Sequence, residues 1–301
     1  MQIEAALTNL EVKVNAEMNE QLDMSLTEEE VSTALSQMCL TKAPGPDRLP
    51  AIFFQKQWKS VKSGVVHTCL HILNGNGSVA SLNHTHIVLI PKILKPHKVT
   101  DFRPISLYNV IYRIIAKAIV NRLKNVLNHV ISPCQSDFIL DRLIIDNIIV
   151  GYECLHKIRH GKEKKHGWIS LKLDISKAYD RVELEFLNST MLKLSFSCKL
   201  VDLIMNCITT TSFSIVINGM VSRLIQPLRG LRQECPISLL LILCAEVFSN
   251  LLVQAEEQKR IRGLRFKKDT MISHLLFADD SLIFVRAAME DCHYLKELFE
   301  C

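Results

Sequence analysis

The segment HLLFADDSLIF, from His274 to Phe284, places two adjacent acids between two short apolar runs. Burying one unpaired carboxylate is expensive and burying two is worse. A chain can accommodate Asp279 and Asp280 in two ways. Either they sit at the tip of a hairpin and reach water, or they hold a metal ion. The symmetry of the flanking apolar runs predicts a hairpin with both acids in its turn.

Strand parity places a third acid. In WISLKLD, Trp168 to Asp174, residues Ile169, Leu171 and Leu173 face one way, and Ser170, Lys172 and Asp174 face the other. Asp174 therefore ends a strand on its polar side. If that strand neighbours the hairpin, three carboxylates converge at one sheet edge and repel one another unless cations neutralise them. Hard oxygen ligands with open positions suit Mg²⁺. Two such ions about 3.5–4 Å apart can stabilise the attacking and leaving oxygens of a phosphoryl transfer. Asp is also a common turn residue, so a plain turn stands beside the metal site as an alternative.

Periodicity fills in much of the remainder. Thr27 and Glu30 have capping-box spacing, and Val31, Leu35 and Met38 form one apolar face. APGPD, Ala43 to Asp47, stops that helix. A short helix is predicted over Ile52 to Leu73, where His67, Cys69 and His71 read as ordinary helix residues. THIVLIPK reads as a strand ending at Pro91 and Lys92, and KPHKVTDFRPIS as a basic loop. From Ile111 to Val130 the spacing predicts an amphipathic helix, with Arg113, Lys117, Asn121 and Lys124 on its polar face. Residues 161–167 read as a solvated loop. A helix is expected over Val182 to Leu194, a hairpin about Asn218-Gly219, and a long apolar helix over Ser238 to Gln258. Strands mix with long helices without regular βαβ alternation, which predicts an α+β fold with an antiparallel sheet.

The bulk numbers exclude several classes. Of 301 residues, 48 % are hydrophobic, too many for disorder. The ten cysteines show no C-x-x-C pair, so they read as reduced thiols of an intracellular protein, with nucleus or cytoplasm left open. The N-terminus is acidic and lacks the apolar core of a signal peptide. The stretch from Ile237 to Val253 is interrupted by Ser238, Glu246 and Asn250 and falls short of the ~20 residues of a membrane span. A buried helix and no membrane partner are expected. A net charge of +5 fits a nucleic-acid partner, as does KRIRGLRFKK, with six basic residues between Lys259 and Lys268.

Longer segments add to this reading. KAPGPDRLPAIFFQKQW, LNHTHIVLIPK, DFRPISLYNVIYRIIAKAIVNRLK, ISPCQSDFILDRLIIDNIIV, LKLDISKAYDRVE, GLRQECPISLLLILCAEVFS and HLLFADDSLIF follow one another in this chain. In that order they closely resemble the reverse transcriptase of LINE-type (non-LTR) retrotransposons, of the plant-like kind, from about Thr27 to the end. The resemblance implies a right-hand polymerase with palm and fingers. Residues 1–83 would be an N-terminal extension with helices leading into the fingers, 84–168 the fingers and 169–301 a truncated palm. It implies a Mg²⁺-dependent RNA-directed DNA polymerase using two ions, an RNA template, a DNA primer and dNTP. Asp174, Asp279 and Asp280 match the catalytic carboxylates. Asp174 and Asp279 would be the principal metal ligands, with Asp280 beside them and the backbone carbonyl of Ile175 helping. Tyr179 matches the gate against ribonucleotides, Lys92 and Arg103 match contacts to the triphosphate, and Gln233 lines the nucleotide pocket.

The departures point towards decay. Where the family reads RQGDPLSP the chain has RQECPISL, so Glu234 replaces a glycine, Cys235 an aspartate and Leu239 a proline. Arg48 stands for the glycine of GPDG, Leu140-Asp141-Arg142 for PGR, and Val182-Glu183-Leu184 for VEW. The chain stops at Cys301, so thumb, zinc knuckle and endonuclease are expected to be missing, as in a degenerate fragment of a larger polyprotein. An acid at Glu234 next to an anionic triphosphate is expected to weaken nucleotide binding. A catalytically inactive nucleic-acid-binding remnant is the alternative function, and a metal-dependent nuclease is a third.

Overall fold

Thr27 opens its helix as the capping-box spacing requires. Its hydroxyl accepts from the Glu30 amide while the Glu30 carboxylate accepts from the Thr27 amide. In this computed structural model, which describes residues 3–161, 167–267 and 270–300, α1 (Ile3–Leu7) and α2 (Ala16–Asp23) precede that helix, α3 (Glu28–Ser36). The helix expected from Ile52 to Leu73 divides at Gln57 into α4 (Ala51–Lys56) and α5 (Trp58–Leu73).

Strand β1 (His84–Pro91) pairs antiparallel with β2 (Phe102–Tyr108). The second half of the expected basic loop is thus a strand. Pro104 fits because β2 is a sheet edge, where a missing N–H leaves no ladder bond unmade. Helix α6 (Val110–Val130) buries Ile114, Ile115, Leu123 and Leu127 completely. Arg113 departs from its expected polar face. It is buried, with its guanidinium carbon 4.8 Å from the centroid of the Tyr108 ring, a cation–π contact.

After α7 (Ile144–His160) and β3 (Trp168–Asp174) come α8 (Ala178–Arg181), α9 (Leu184–Lys193) and α10 (Cys198–Thr209). Most of the loop expected at 161–167 lies outside the described residues. Strands β4 (Ser212–Ile217) and β5 (Met220–Val221) form the expected hairpin, with φ of +51° at Asn218 and +81° at Gly219. Positive φ at both central residues is what a type I′ turn requires. The sheet order is β2-β1-β4-β5, and β1 runs parallel to β4, so this sheet is mixed rather than purely antiparallel. It draws strands from both sides of residue 168.

Helix α11 (Leu241–Glu257), led by a 3₁₀ turn at Pro236–Leu240, is long and apolar enough to cross a membrane, but 61 % of that stretch is buried inside the protein. It is followed by the β6 (Leu264–Lys267) and β7 (Thr270–Ile272) pair, then β8 (His274–Phe277), β9 (Asp280–Arg286) and α12 (Met289–Glu300). The second sheet, β3-β9-β8, is wholly antiparallel. Ile169 pairs with Val285 and Leu171 with Ile283, and this face packs on Leu252 and Ala255 of α11 and Leu295 of α12. The opposite face carries Trp168, Phe284 and Leu282 against Cys154 of α7. The main core runs from Leu7 to Val247 and includes the N-terminal helices. Among the described residues every cysteine is a free thiol.

His274 begins β8 fully buried, with Nε2 2.7 Å from the Ser249 hydroxyl and Nδ1 3.1 Å from the Ser273 hydroxyl. Burial holds its imidazole down at about 4, against an ordinary value of 6.5. A depressed histidine favours the folded state above pH 6.5, and that contribution is lost as pH falls toward about 4. The full difference corresponds to about 3 kcal/mol. Urea midpoints are expected to fall steeply between pH 6.5 and 4 and to flatten in His274→Gln. An equal slope in that variant would show that another group sets the acid sensitivity.

Candidate active site

The β3–β9 ladder sets Asp174 directly opposite Asp280, one pair beyond Leu173 and Ser281. Directly opposed residues have Cβ atoms about 4.5–5.5 Å apart, and like charges there repel. The repulsion is relieved from within the same face. Lys172 shares the parity of Asp174, and its Nζ lies 3.1 Å from Asp280 Oδ1. The hydrogen bond to Asp280 holds the ammonium above its ordinary range, with Asp174 adding to the effect. An ammonium therefore stands where the carboxylate pair calls for a cation.

The hairpin differs in detail from expectation. Its two turn residues are Ala278 and Asp279, while Asp280 is already in β9 and pairs with Phe277. Ala278 takes the left-handed position, with φ of +50°. Asp279 therefore leaves the Asp174–Asp280 face and lines a cleft of about 1040 Å³ between the two sheets. The same cleft is lined by Lys92, Arg103, Tyr179 and Gln233. Four residues expected to contact nucleotide thus gather around one of the three acids. The basic residues from Lys259 to Arg265 do not line it. They are exposed, with Arg260 stacked on Tyr294. Lys268 lies outside the described residues.

Asp137 is a fourth acid of this site, unmarked by any sequence signal beyond its place in ISPCQSDFIL. Burial chiefly pushes its carboxyl up, opposed by its bond with the Phe138 amide, and Asp279 pushes it further up. The Tyr179 phenol is likewise raised by burial, then by Asp279 and Asp137. These directions place Asp137, Asp279 and Tyr179 within electrostatic reach of one another. The Ile175 carbonyl accepts from the Ala178 amide at 3.0 Å and retains a second lone pair. The donors are all oxygen, as Mg²⁺ prefers. Among the described residues, however, no three acids, histidines or cysteines are gathered closely enough to form a ready-made metal cluster.

The segment before Gln233 is fastened to α8 and the residue that follows it. The Leu231 amide donates to the Tyr179 carbonyl at 2.7 Å and the Gly230 amide to the Val182 carbonyl at 2.8 Å. Gly230 has φ of +92°, and a Cβ there would fall 3.0 Å from backbone atoms of Tyr179 and Asp180. Only glycine permits that approach. The signal for this was its position at the head of GLRQ. Arg232 is buried over Tyr112 and Tyr108, and its Nη2 donates to Asn83 Oδ1 at 2.5 Å, tying the segment to the start of β1.

The substituted positions show a common geometry. Glu234, Arg48 and Asp141, which stand where the LINE-type pattern has glycine, have φ of +61°, +59° and +62°. All three side chains occupy the left-handed region that glycine enters freely. Glu234 is half exposed on the cleft wall, and its carboxylate lies 3.6 Å from Lys42 Nζ. An exposed pair of this kind stabilises by at most about 1 kcal/mol. Cys235 is buried, with Sγ 3.9 Å from the Tyr112 hydroxyl.

The model of the reverse transcriptase (RNA-dependent DNA polymerase) family matches residues 93–301. The chain is 31 % identical to an uncharacterized 149 kDa protein of transposon TX1 from Xenopus laevis, over 95 % of this chain and 21 % of that protein. It is 25 % identical to the Pol polyprotein of the type-2 retrotransposable element R2DM from Drosophila melanogaster, over 88 % of this chain and 24 % of the relative. A 68-residue stretch, 22 % of this chain, is 50 % identical to the uncharacterized mitochondrial protein AtMg01250 of Arabidopsis thaliana, covering 56 % of that protein. The chain thus spans about a fifth to a quarter of the length of the first two relatives.

Left-handed backbone costs an L-residue about 1 kcal/mol or more. Glu234→Gly and Arg48→Gly are therefore each expected to raise stability by about 0.5–1 kcal/mol once the entropy of glycine in the unfolded chain is subtracted. Asp141→Gly is expected to gain less, because aspartate tolerates this region. Urea midpoints at constant slope measure the effect. A lower midpoint for Glu234→Gly would contradict the strain assignment.

Proposed function

We propose, since the chain belongs to the reverse transcriptase (RNA-dependent DNA polymerase) family, that it extends a primer 3′-OH with deoxynucleotides on an RNA template. The three-stranded sheet acts as the palm, and β1 and β2 belong to the fingers. The observation that carries this reading is the single cleft lined by Lys92, Arg103, Tyr179, Gln233 and Asp279. Cations at one wall and a carboxylate at another suit a polyanionic substrate presented to a metal-assisted phosphoryl transfer. Asp174, Asp279 and the Ile175 carbonyl would hold Mg²⁺, with Asp280 beside them. When bound, the metal supplies charge neutralisation for the reacting oxygens.

The chain's own residues do the remainder. Lys92 and Arg103 are both exposed and positioned to pair with phosphate oxygens. Tyr179, half-buried and anchored through its carbonyl, provides an aromatic wall against which the sugar is placed, which supports its role as the gate against ribonucleotides. Gln233 offers both a donor and an acceptor beside it. Lys172 holds Asp280 and partly neutralises the carboxylate pair that would otherwise call for a divalent cation.

The inactive nucleic-acid-binding remnant is favoured by one observation. Glu234 adds a strained backbone position and a carboxylate to the cleft wall. Its pairing with Lys42 reduces the repulsion of a triphosphate without abolishing it. If even ~1 kcal/mol survives, nucleotide binding weakens about fivefold.

Single-turnover incorporation is therefore expected to be slow in the natural chain and absent in Asp279→Asn. In the double variant Glu234→Gly, Cys235→Asp, nucleotide affinity is expected to rise about fivefold. Robust extension by the unmodified chain would remove the case for decay, and incorporation by Asp279→Asn would remove the catalytic assignment. The binding arm is independent of turnover. Neutralising Lys92 and Arg103 together is expected to reduce the salt slope of RNA binding by roughly 1.4–1.8, at 0.7–0.9 per phosphate contact. An unchanged affinity and slope would place both residues away from nucleic acid.

A further inference from the structure

The turn that carries Asp279 opens on a residue with no turn preference of its own. Its first central residue is Ala278, which has φ of +50° and no side chain able to bond its own backbone. The support comes from the connection between α6 and α7. The side chain of Gln135, 1 % exposed, reaches the turn, and its Oε1 accepts from the Ala278 amide at 3.1 Å and from the Asp137 amide at 3.0 Å. Both partners are donors, so only the amide oxygen can face them, and the orientation of this glutamine is fixed by its neighbours.

The connection itself is fastened on two sides. The Leu276 amide donates to the Cys134 carbonyl at 2.8 Å and the Ser136 amide to the Leu276 carbonyl at 3.2 Å, so the segment forms a parallel bridge along β8. Asn147 of α7 adds a bond from Nδ2 to the Leu276 carbonyl at 2.8 Å. From below, Arg142 gathers carbonyls: Nη1 donates to Ser132 at 2.5 Å and to Gln135 at 2.7 Å, and Nη2 to Ile131 at 3.0 Å. The Ser132 amide in turn donates to Glu246 of α11, buried at 3 % exposure. A chain of directed bonds thus runs from α11 through the connection to the amide immediately before Asp279.

We infer that Gln135 is a positioning residue, which holds the Ala278–Asp279 turn in its left-handed geometry and so sets where the Asp279 carboxylate stands in the cleft. The single amide oxygen couples two backbone amides. One precedes Asp279 and the other belongs to Asp137. Their spacing is therefore set by one side chain. This inference deepens the polymerase reading and rests on it for its catalytic meaning, whereas its structural content does not.

The test compares Gln135→Met, which keeps the volume and removes the acceptor, with Gln135→Glu, which keeps an acceptor oxygen. Amide hydrogen exchange is followed in the peptide covering residues 276–281, with urea midpoints measured alongside. In Gln135→Met, exchange at the turn is expected to accelerate at least tenfold relative to peptides of α6 and α9. In Gln135→Glu, protection is expected to be retained. Single-turnover incorporation by Gln135→Met is expected to slow about tenfold, with the nucleotide concentration for half-maximal rate unchanged. Natural exchange at the turn in a folded Gln135→Met overturns the inference. If that variant does not fold, loss of turn protection in folded Gln135→Glu overturns it instead. Asp279→Asn separates the two readings. If it abolishes incorporation while Gln135→Met leaves exchange untouched, the polymerase reading stands and the positioning role falls. If exchange accelerates in Gln135→Met while incorporation ignores Asp279→Asn, the turn is positioned as inferred and the polymerase reading falls.

Discussion

The pairing of β3 with β9 is the constraint on which the site depends. Seven consecutive residue pairs, from Trp168–Arg286 to Asp174–Asp280, fix the ladder. A slip of one residue would turn Ile169, Leu171 and Leu173 away from α11 and α12 and expose them. Burial of an aliphatic side chain contributes about 1.5–3 kcal/mol. Three such residues with Ile283 and Val285 opposite make the slipped register prohibitive. The register that buries them also forces Asp174 and Asp280 together at the open end of the sheet. Carboxylate repulsion at that end is the electrostatic cost of a packed apolar face, and Lys172 offsets part of it.

The acids are consequently divided between two surroundings. Asp174 and Asp280 share the face with Lys172, while Asp279, carried past the strand end by the turn, belongs to the cleft with Tyr179. This division gives adjacent residues different tasks. Asp280 is held by an ammonium on its own sheet, and Asp279 stands toward the groups that would meet a nucleotide. At Gly230 the absence of a side chain lets the segment before Gln233 lie against α8, which carries Tyr179.

Much of this was legible in the residues because period-2 alternation and turn chemistry are local. The polar parity of Asp174, the Asn218-Gly219 hairpin, the Thr27–Glu30 cap and the buried run of α6 all follow from neighbours within a few positions. What escaped depended on distant partners. Phe102–Ser106 reads as a loop because Arg103 and Pro104 spoil its alternation, and only β1 makes it part of a strand. Arg113 has a polar identity, yet the ring of Tyr108 gives it a buried place. The parallel contact of β1 with β4 joins segments more than a hundred residues apart and leaves no local trace. Asp280 moved from turn to strand because Ala278, with no turn preference of its own, takes the left-handed position under an external hydrogen bond. The grouping of Lys92, Arg103, Tyr179 and Gln233 came from the family resemblance rather than from periodicity. The positive φ at Glu234, Arg48 and Asp141 gives the loss of those glycines a physical meaning that composition alone does not.

The central claim of the proposed function is that Asp279 and the Asp174–Asp280 pair, though they face different surroundings, would hold a divalent cation together, with Asp279 essential. Calorimetric titration of the natural chain with Mg²⁺, without nucleic acid, tests it most directly, because it needs no turnover from a chain with a left-handed glutamate on its cleft wall. The account predicts saturable binding that is lost in Asp279→Asn and strengthened in Lys172→Met, where the competing ammonium is gone. Binding that survives Asp279→Asn unchanged would contradict it.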